Sequence, residues 1–257
     1  HQIHKLFKAK SSIFFMRFVF TPDWFLGKDV LIEGFSFIVL LIFAILAIRY
    51  FKLNKNRNFL YLGTGFGLIA LAQLAAVFTK LVLYYDFGPS QQIGQAIIVT
   101  YQIVNSVDVF YYLGFLSHRL LTLLGLYVIY RLPRLHKSYG DYFLIGYFLV
   151  ISTLVSKSFY YVYHLTALFL LAAIVLHYYE IYKKNNYQNT LVLLGAFGIL
   201  ALSQLIFLLS TIEMVFVFGN LVELTSYIIL LVLIVRIMKH GKKKNKNGHN
   251  IRYVGHH

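Results

Sequence analysis

Seven side chains in this sequence are out of keeping with the apolar runs around them: Glu33, Gln73, His118, Arg119, His164, Gln204 and Glu223. An ionisable group in hydrocarbon costs at least ~2.5 kcal/mol, so each needs a partner or a task. Together they suit a small polar or ionic solute, with Glu33 and Glu223 as anionic ligands and His118 and His164 as hydrogen-bonding or protonatable groups. The same histidines and carboxylates form a rival metal set, and His118 with His164 a rival haem pair. Neither HExxH nor Glu-x-x-His occurs, so spacing lends that use no support and no cofactor is expected. With no cysteine in the chain, disulfides, thiolate metal sites and cysteine nucleophiles are excluded. The plain structural alternative is that Gln73 and Gln204 hold helices together, while Glu33 and His164 lie high enough to meet headgroups. Tyr111, Tyr112, Tyr160, Tyr161 and Tyr163 are expected in an interfacial belt.

The elements that must position these groups are membrane spans. The 257 residues are 59% apolar and 13% charged, with a mean hydropathy of +0.69. A soluble domain carries about a quarter charged residues, so core packing alone does not explain the deficit. A hydrocarbon core about 30 Å thick needs about 20 apolar residues in a helix. Seven segments qualify: 30–50, 59–83, 110–131, 141–156, 159–181, 189–211 and 214–237, the fourth being the shortest. The net charge of +15 would indicate nucleic acid only if the basic residues formed a soluble patch. They instead concentrate beside the spans, as Arg49, Lys52, Lys55 and Arg57; Arg131, Arg134 and Lys137; Lys183 and Lys184; and Arg236, Lys239, Lys242, Lys243, Lys244, Lys246 and Arg252. Basic loops stay cytoplasmic, which sets the N-terminus outside and the C-terminus inside. Lys5, Lys8, Lys10 and Arg17 run against that rule, and residues 1–15, ahead of Met16, are expected to be a processed, truncated or added stretch.

An internal repeat organises the spans. LYLGTGFGLIALAQ (60–73) over LVLLGAFGILALSQ (191–204) gives seven identities without a gap, and the match extends to Lys52 with Lys183, Asn54 with Asn185 and Asn58 with Asn189. This offset of 131 lays helix one on helix five and helix two on helix six; an offset of 105 lays helix three on helix seven. The pairs are then Glu33 with His164, Gln73 with Gln204, and His118 with Glu223, all within roughly 6–10 Å of the outer surface. Gly114, His118, Thr122 and Gly125 share one helical stripe, as do Gly219, Glu223 and Ser226, and both stripes should face the bundle axis. Arg119 is rotated about 100° from His118, so it should pair with Glu33 or Glu223 or reach the outer surface. The change in offset leaves an insertion at 86–110, expected as an outer cap, an interfacial helix or an extension of helix three.

This plan resembles that of the seven-helix sugar facilitators called SWEETs and their PQ-loop relatives, in helix count, repeat order and orientation. Those families carry a Pro-Gln signature in the membrane, whereas no proline lies in any span here, so their binding residues do not transfer. Helix seven contains no lysine within the membrane, which excludes a retinal Schiff base at its usual place in the microbial rhodopsins.

The expected fold is an all-α integral membrane protein of seven transmembrane helices in a 3+1+3 parallel-repeat plan. Residues 1–29 form an interfacial or partly artefactual segment, 30–131 the first unit, 132–158 the linker with helix four, 159–238 the second unit, and 239–257 a basic cytoplasmic tail. The function expected first is a transporter or facilitator for a small polar or ionic solute. A seven-helix receptor or sensor acting on a cytoplasmic partner comes second, and a subunit of a larger membrane complex third. An enzyme ranks last, because no nucleophile and base stand at fixed spacing. The expected surroundings are the lipid bilayer of the plasma membrane, with anionic lipid at the tail and a protein partner or second copy beside the bundle, and no nucleic acid.

Overall fold

Backbone polar groups in hydrocarbon must satisfy one another, and long apolar segments do so as helices. The computed structural model describes Phe25 and residues 27–84, 96–131, 139–153, 157–209 and 213–251. Among these residues the secondary structure is helical throughout: α1 Lys28–Asn54, α2 Arg57–Tyr84, α3 Ala96–Arg131, α4 Tyr139–Thr153, α5 Lys157–Asn185, α6 Gln188–Leu208 and α7 Glu213–Ile251. Six of them, all but α4, are long and apolar enough to cross a membrane, as a multi-pass membrane protein requires.

Helix α4, expected as the shortest of the seven spans, is the short one among the described helices. Its 15 residues extend about 22 Å, less than the roughly 30 Å of a hydrocarbon core. The apolar run there is short, with Asp141 at its start and Lys157 soon after its end. Two other helices outrun their expected spans. Residues 96–110 of the insertion continue α3, and α7 continues into the basic tail as far as Ile251. Residues 86–95, the first 24 residues and 252–257 lie outside the described residues.

The helices form a ring. α1 packs on α2 and α7, α2 on α3, α3 on α5, α5 on α6, and α6 on α7; α4 lies outside against α3 and α5. Phe148 of α4 is fully buried, edge-on to Tyr127 of α3, and Tyr147 Oη lies 3.1 Å from Thr166 Oγ1 of α5. The links α1–α2 and α5–α6 are each two residues long, Lys55–Asn56 and Asn186–Tyr187. Lys55 and Asn186 both have positive φ, 53° and 51°, and each N–H returns to the carbonyl four residues back at 2.7 Å.

Glycines set how closely α2 approaches its neighbours. A Cβ added to Gly125 would lie 2.6 Å from Gly65 O, and one added to Gly65 would lie 2.8 Å from Gly125 O. The α2 and α3 backbones therefore touch where small residues permit it. Gly63 does the same toward α1, where an added Cβ would meet Ile48 Cγ1 at 2.8 Å. Gly125→Val must push these backbones away from each other and is expected to lower stability by about 3 kcal/mol. Thermal unfolding in detergent measures this, with Gly146→Val, whose added Cβ meets nothing within 4 Å, as the unaffected control.

Polarity runs inside out relative to a water-soluble protein. Phe143 and Val232 are 76% and 62% exposed, while Asp29, Lys80, Arg119, Gln73 and Gln204 are buried. Lipid tolerates the first and not the second, which places a bilayer around the bundle. Nearer the basic end the ring is filled by apolar side chains. Phe66 of α2 and Phe197 of α6, both fully buried, stack at 5.9 Å with an interplanar angle of 18°. Tyr178 of α5 stacks on Phe197 at 5.7 Å, and Phe43 of α1 meets Phe66 edge-on at 4.6 Å.

Candidate functional site

Gln73 and Gln204 sit about 10 Å along their helices from Phe66 and Phe197, on the side away from the basic end. At that height the helices separate around a cavity of about 130 Å³. All seven residues singled out from the sequence line it: Glu33 from α1, Gln73 from α2, His118 and Arg119 from α3, His164 from α5, Gln204 from α6 and Glu223 from α7. Every helix of the ring contributes at least one. A single water needs about 10–15 Å³ on this measure, and a cavity of about 150 Å³ holds benzene. There is room for a solute of that size or for several waters.

The stripe on α3 faces inward as its spacing implies, with Gly114, His118 and Thr122 on the cavity and Gly125 against α2. His118 Nδ1 lies 3.1 Å from Ala72 O; a carbonyl only accepts, so Nδ1 carries the proton and Nε2 is the accepting nitrogen. His164 Nδ1 lies 2.8 Å from Gln204 Oε1, which assigns the same tautomer. The His164 ring is boxed by Tyr160 at 4.3 Å, Tyr163 at 4.9 Å and Phe207 at 5.1 Å. Glu223 Oε1 accepts hydrogen bonds from Gln73 Nε2 at 3.3 Å and Tyr227 Oη at 2.5 Å. Both glutamines thus make the interhelical bonds expected of them and also present polar surface to the cavity. On the small-residue stripe of α7, Ser226 Oγ donates to Ala196 O of α6 at 2.8 Å.

Two groups absent from the sequence reading stand on the α1–α2 side, Lys80 on the cavity wall and Asp29 behind it. Lys80 of α2 places Nζ 2.5 Å from Glu33 Oε1 and 2.8 Å from Asp29 Oδ2, with the Lys80, Asp29 and Glu33 side chains 8%, 1% and 13% exposed. Asp29 Oδ1 also accepts from the N–H groups of Gly27 and Val30, so one carboxylate caps the start of α1 and holds the lysine. Glu33 therefore turns into a buried ion-pair cluster and not toward headgroups. Arg119 does not reach the outer surface either; it is buried, with Cζ 5.6 Å from the centre of the Tyr163 ring.

The tyrosine belt needs a correction as well. Tyr160 and Tyr163 line the cavity, whereas Tyr112 is exposed as a belt residue should be. Tyr160 lies three residues before Tyr163 and four before His164, on one face of α5, which is the signal that would have placed both tyrosines beside the histidine. Among the described residues, no three His, Asp or Glu side chains group closely enough to hold a metal ion. The chain matches no protein-family model, no curated protein and no solved structure.

Proposed function

We propose that this protein carries a small polar or ionic solute across the membrane, binding it in the cavity between two three-helix units. One observation carries the proposal: each of the six ring helices sends a polar or ionisable side chain into one and the same cavity. Interhelical glue would be satisfied by scattered pairs, whereas convergence on one space suits a ligand.

In the proposed plan, α1–α3 and α5–α7 are equivalent units in parallel orientation, α4 crosses between them as a seventh, short span, the N-terminus is outside and the basic end is cytoplasmic. Several features support it. Positions 131 residues apart coincide at the helix ends Asn54 and Asn185, the left-handed residues Lys55 and Asn186, and the helix starts Arg57 and Gln188. Phe66 and Phe197, also 131 apart, stack on each other, as equivalent residues do beside a two-fold axis. Exchanging the units turns the α1–α7 contact into the α5–α3 contact, and both exist. The aromatic stack separates the cavity from the basic end, so rocking one unit against the other would draw the rings apart and open the cavity toward that side.

Flux of a solute panel into proteoliposomes tests the proposal. Removing a charge-assisted contact worth ~1.5–3 kcal/mol, Glu223→Gln should slow uptake of the transported solute about tenfold or more while elution as a folded species is unchanged. Absence of flux for every solute, or flux indifferent to Glu223→Gln and His118→Ala, would overturn it. A receptor is the second reading. It is favoured by α7, whose 39 residues extend about 58 Å, well past a membrane core, as a rod that would carry a change in the cavity to a partner. Binding without flux would select it, and stoichiometric copurification with other chains would select a complex subunit. In either case the plasma membrane is the proposed site, with the basic tail against anionic lipid.

A further inference from the structure

The charged groups on the cavity wall balance, Glu33 and Glu223 against Lys80 and Arg119. Lys80 is engaged by Glu33 and by Asp29 behind it, and Arg119 lies over the Tyr163 ring. A ligand with a net charge would upset this balance where little water screens it.

What distinguishes the wall is where its protons go. His118 Nδ1 donates to Ala72 O, Gln73 Nε2 to Glu223 Oε1, and Asn220 Nδ2 to Phe216 O. Carbonyl and carboxylate oxygens only accept, so each partner fixes the orientation of the group that meets it. The atoms these lining residues keep are acceptors: His118 Nε2, Gln73 Oε1 and Asn220 Oδ1. His164 repeats the pattern, with Nδ1 toward Gln204 Oε1 and Nε2 kept. Both donors to Glu223 meet Oε1, which leaves Oε2. Glu33 has a buried Oε2 that accepts no hydrogen bond among the described residues. Away from water an unmet acceptor is costly, and a solute that donates to it relieves that cost. The amide nitrogens, Gln204 Nε2 among them, keep N–H groups for an acceptor on the ligand. Tyr163 and Phe207 add flat aromatic faces, against which a planar group packs well.

We infer that the ligand of this cavity is a small uncharged amide of the urea type, its N–H groups toward the histidine and carboxylate acceptors and its carbonyl toward the side-chain amides. This rests on taking the cavity as a solute site and names the class of solute. The volume of about 130 Å³ limits it to roughly the size of benzene.

A set of small probes decides the matter. Urea, acetamide and acetone share one planar shape and lose N–H donors in that order; guanidinium and acetate share the shape and carry a charge, and glycerol offers O–H donors without planarity. Each is titrated into the full chain in nanodiscs at constant ionic strength, and binding is read by calorimetry. Urea should bind about tenfold or more tightly than acetone, a difference of about 1.4 kcal/mol, with acetamide between them and guanidinium, acetate and glycerol all weaker than urea. Asn220→Leu, whose lost side-chain bond is to its own helix, should narrow the urea-to-acetone ratio about threefold or more, as should His118→Phe. Acetone binding as tightly as urea, tighter binding of guanidinium, acetate or glycerol, or binding of none overturns the inference, as does a ratio that neither variant changes. The wild-type series needs no variant to fold. Selective urea binding without flux would remove the transport reading and leave this one standing; flux of a charged solute with no binding of urea would do the reverse.

Discussion

Lys80→Met is expected to destabilise the protein by about 3–5 kcal/mol, the loss seen when one partner of a buried ion pair is removed and the other is stranded. Here the lysine is the ion-pair partner of two carboxylates, Asp29 and Glu33, both within the packed end of the α1–α2 pair. Thermal unfolding in detergent and the monodisperse fraction on size exclusion both read the effect. The cause is separable from lost packing. A triple variant carrying Asp29→Asn, Glu33→Gln and Lys80→Met removes all three charges and should recover most of the stability, because neutral groups of similar shape carry a far smaller desolvation penalty. A Lys80→Met protein as stable as the wild type would show that the trio contributes nothing.

Alanine at Phe66 or Phe197 should cost about 3 kcal/mol each, the usual range for emptying a fully packed phenylalanine site. Both rings are fully buried and stack on each other, with Phe43 and Tyr178 adding further ring contacts. Because they touch, the double variant should lose less than the two single losses added together. If the two units are equivalent, the single losses should agree to within about 1 kcal/mol. Equilibrium unfolding by denaturant measures all three. A tolerated alanine at either position would contradict the central place given to the stack.

The helices were legible because an apolar run of sufficient length has one way to satisfy its backbone in lipid, and α1, α2, α5 and α6 end near the expected positions. Helical rise assigns Glu33, Gln73, His118, His164, Gln204 and Glu223 a common height, and all six line one cavity. Their partners were not legible. Lys80 and Asp29 lie near the ends of their spans away from the α1–α2 link, where a charge ordinarily meets headgroups, and the packing of α1 on α2 turns them toward each other. Rotation about the helix axis is equally hidden for aromatic residues. A tyrosine near a span end suits a belt or a cavity wall, and the neighbours of α5 decided it for Tyr160 and Tyr163.

The lysine and its two carboxylates belong to consecutive helices joined by a two-residue link. During synthesis, α1 alone would bring Asp29 and Glu33 to the bilayer ahead of the lysine that pairs with them both. Once Lys80 emerges, the α1–α2 hairpin carries its own counterion and can settle into lipid before any later helix exists. The hairpin thus holds its own ion pair within two consecutive helices, while the cavity closes only where α7, the last helix, lies against α1.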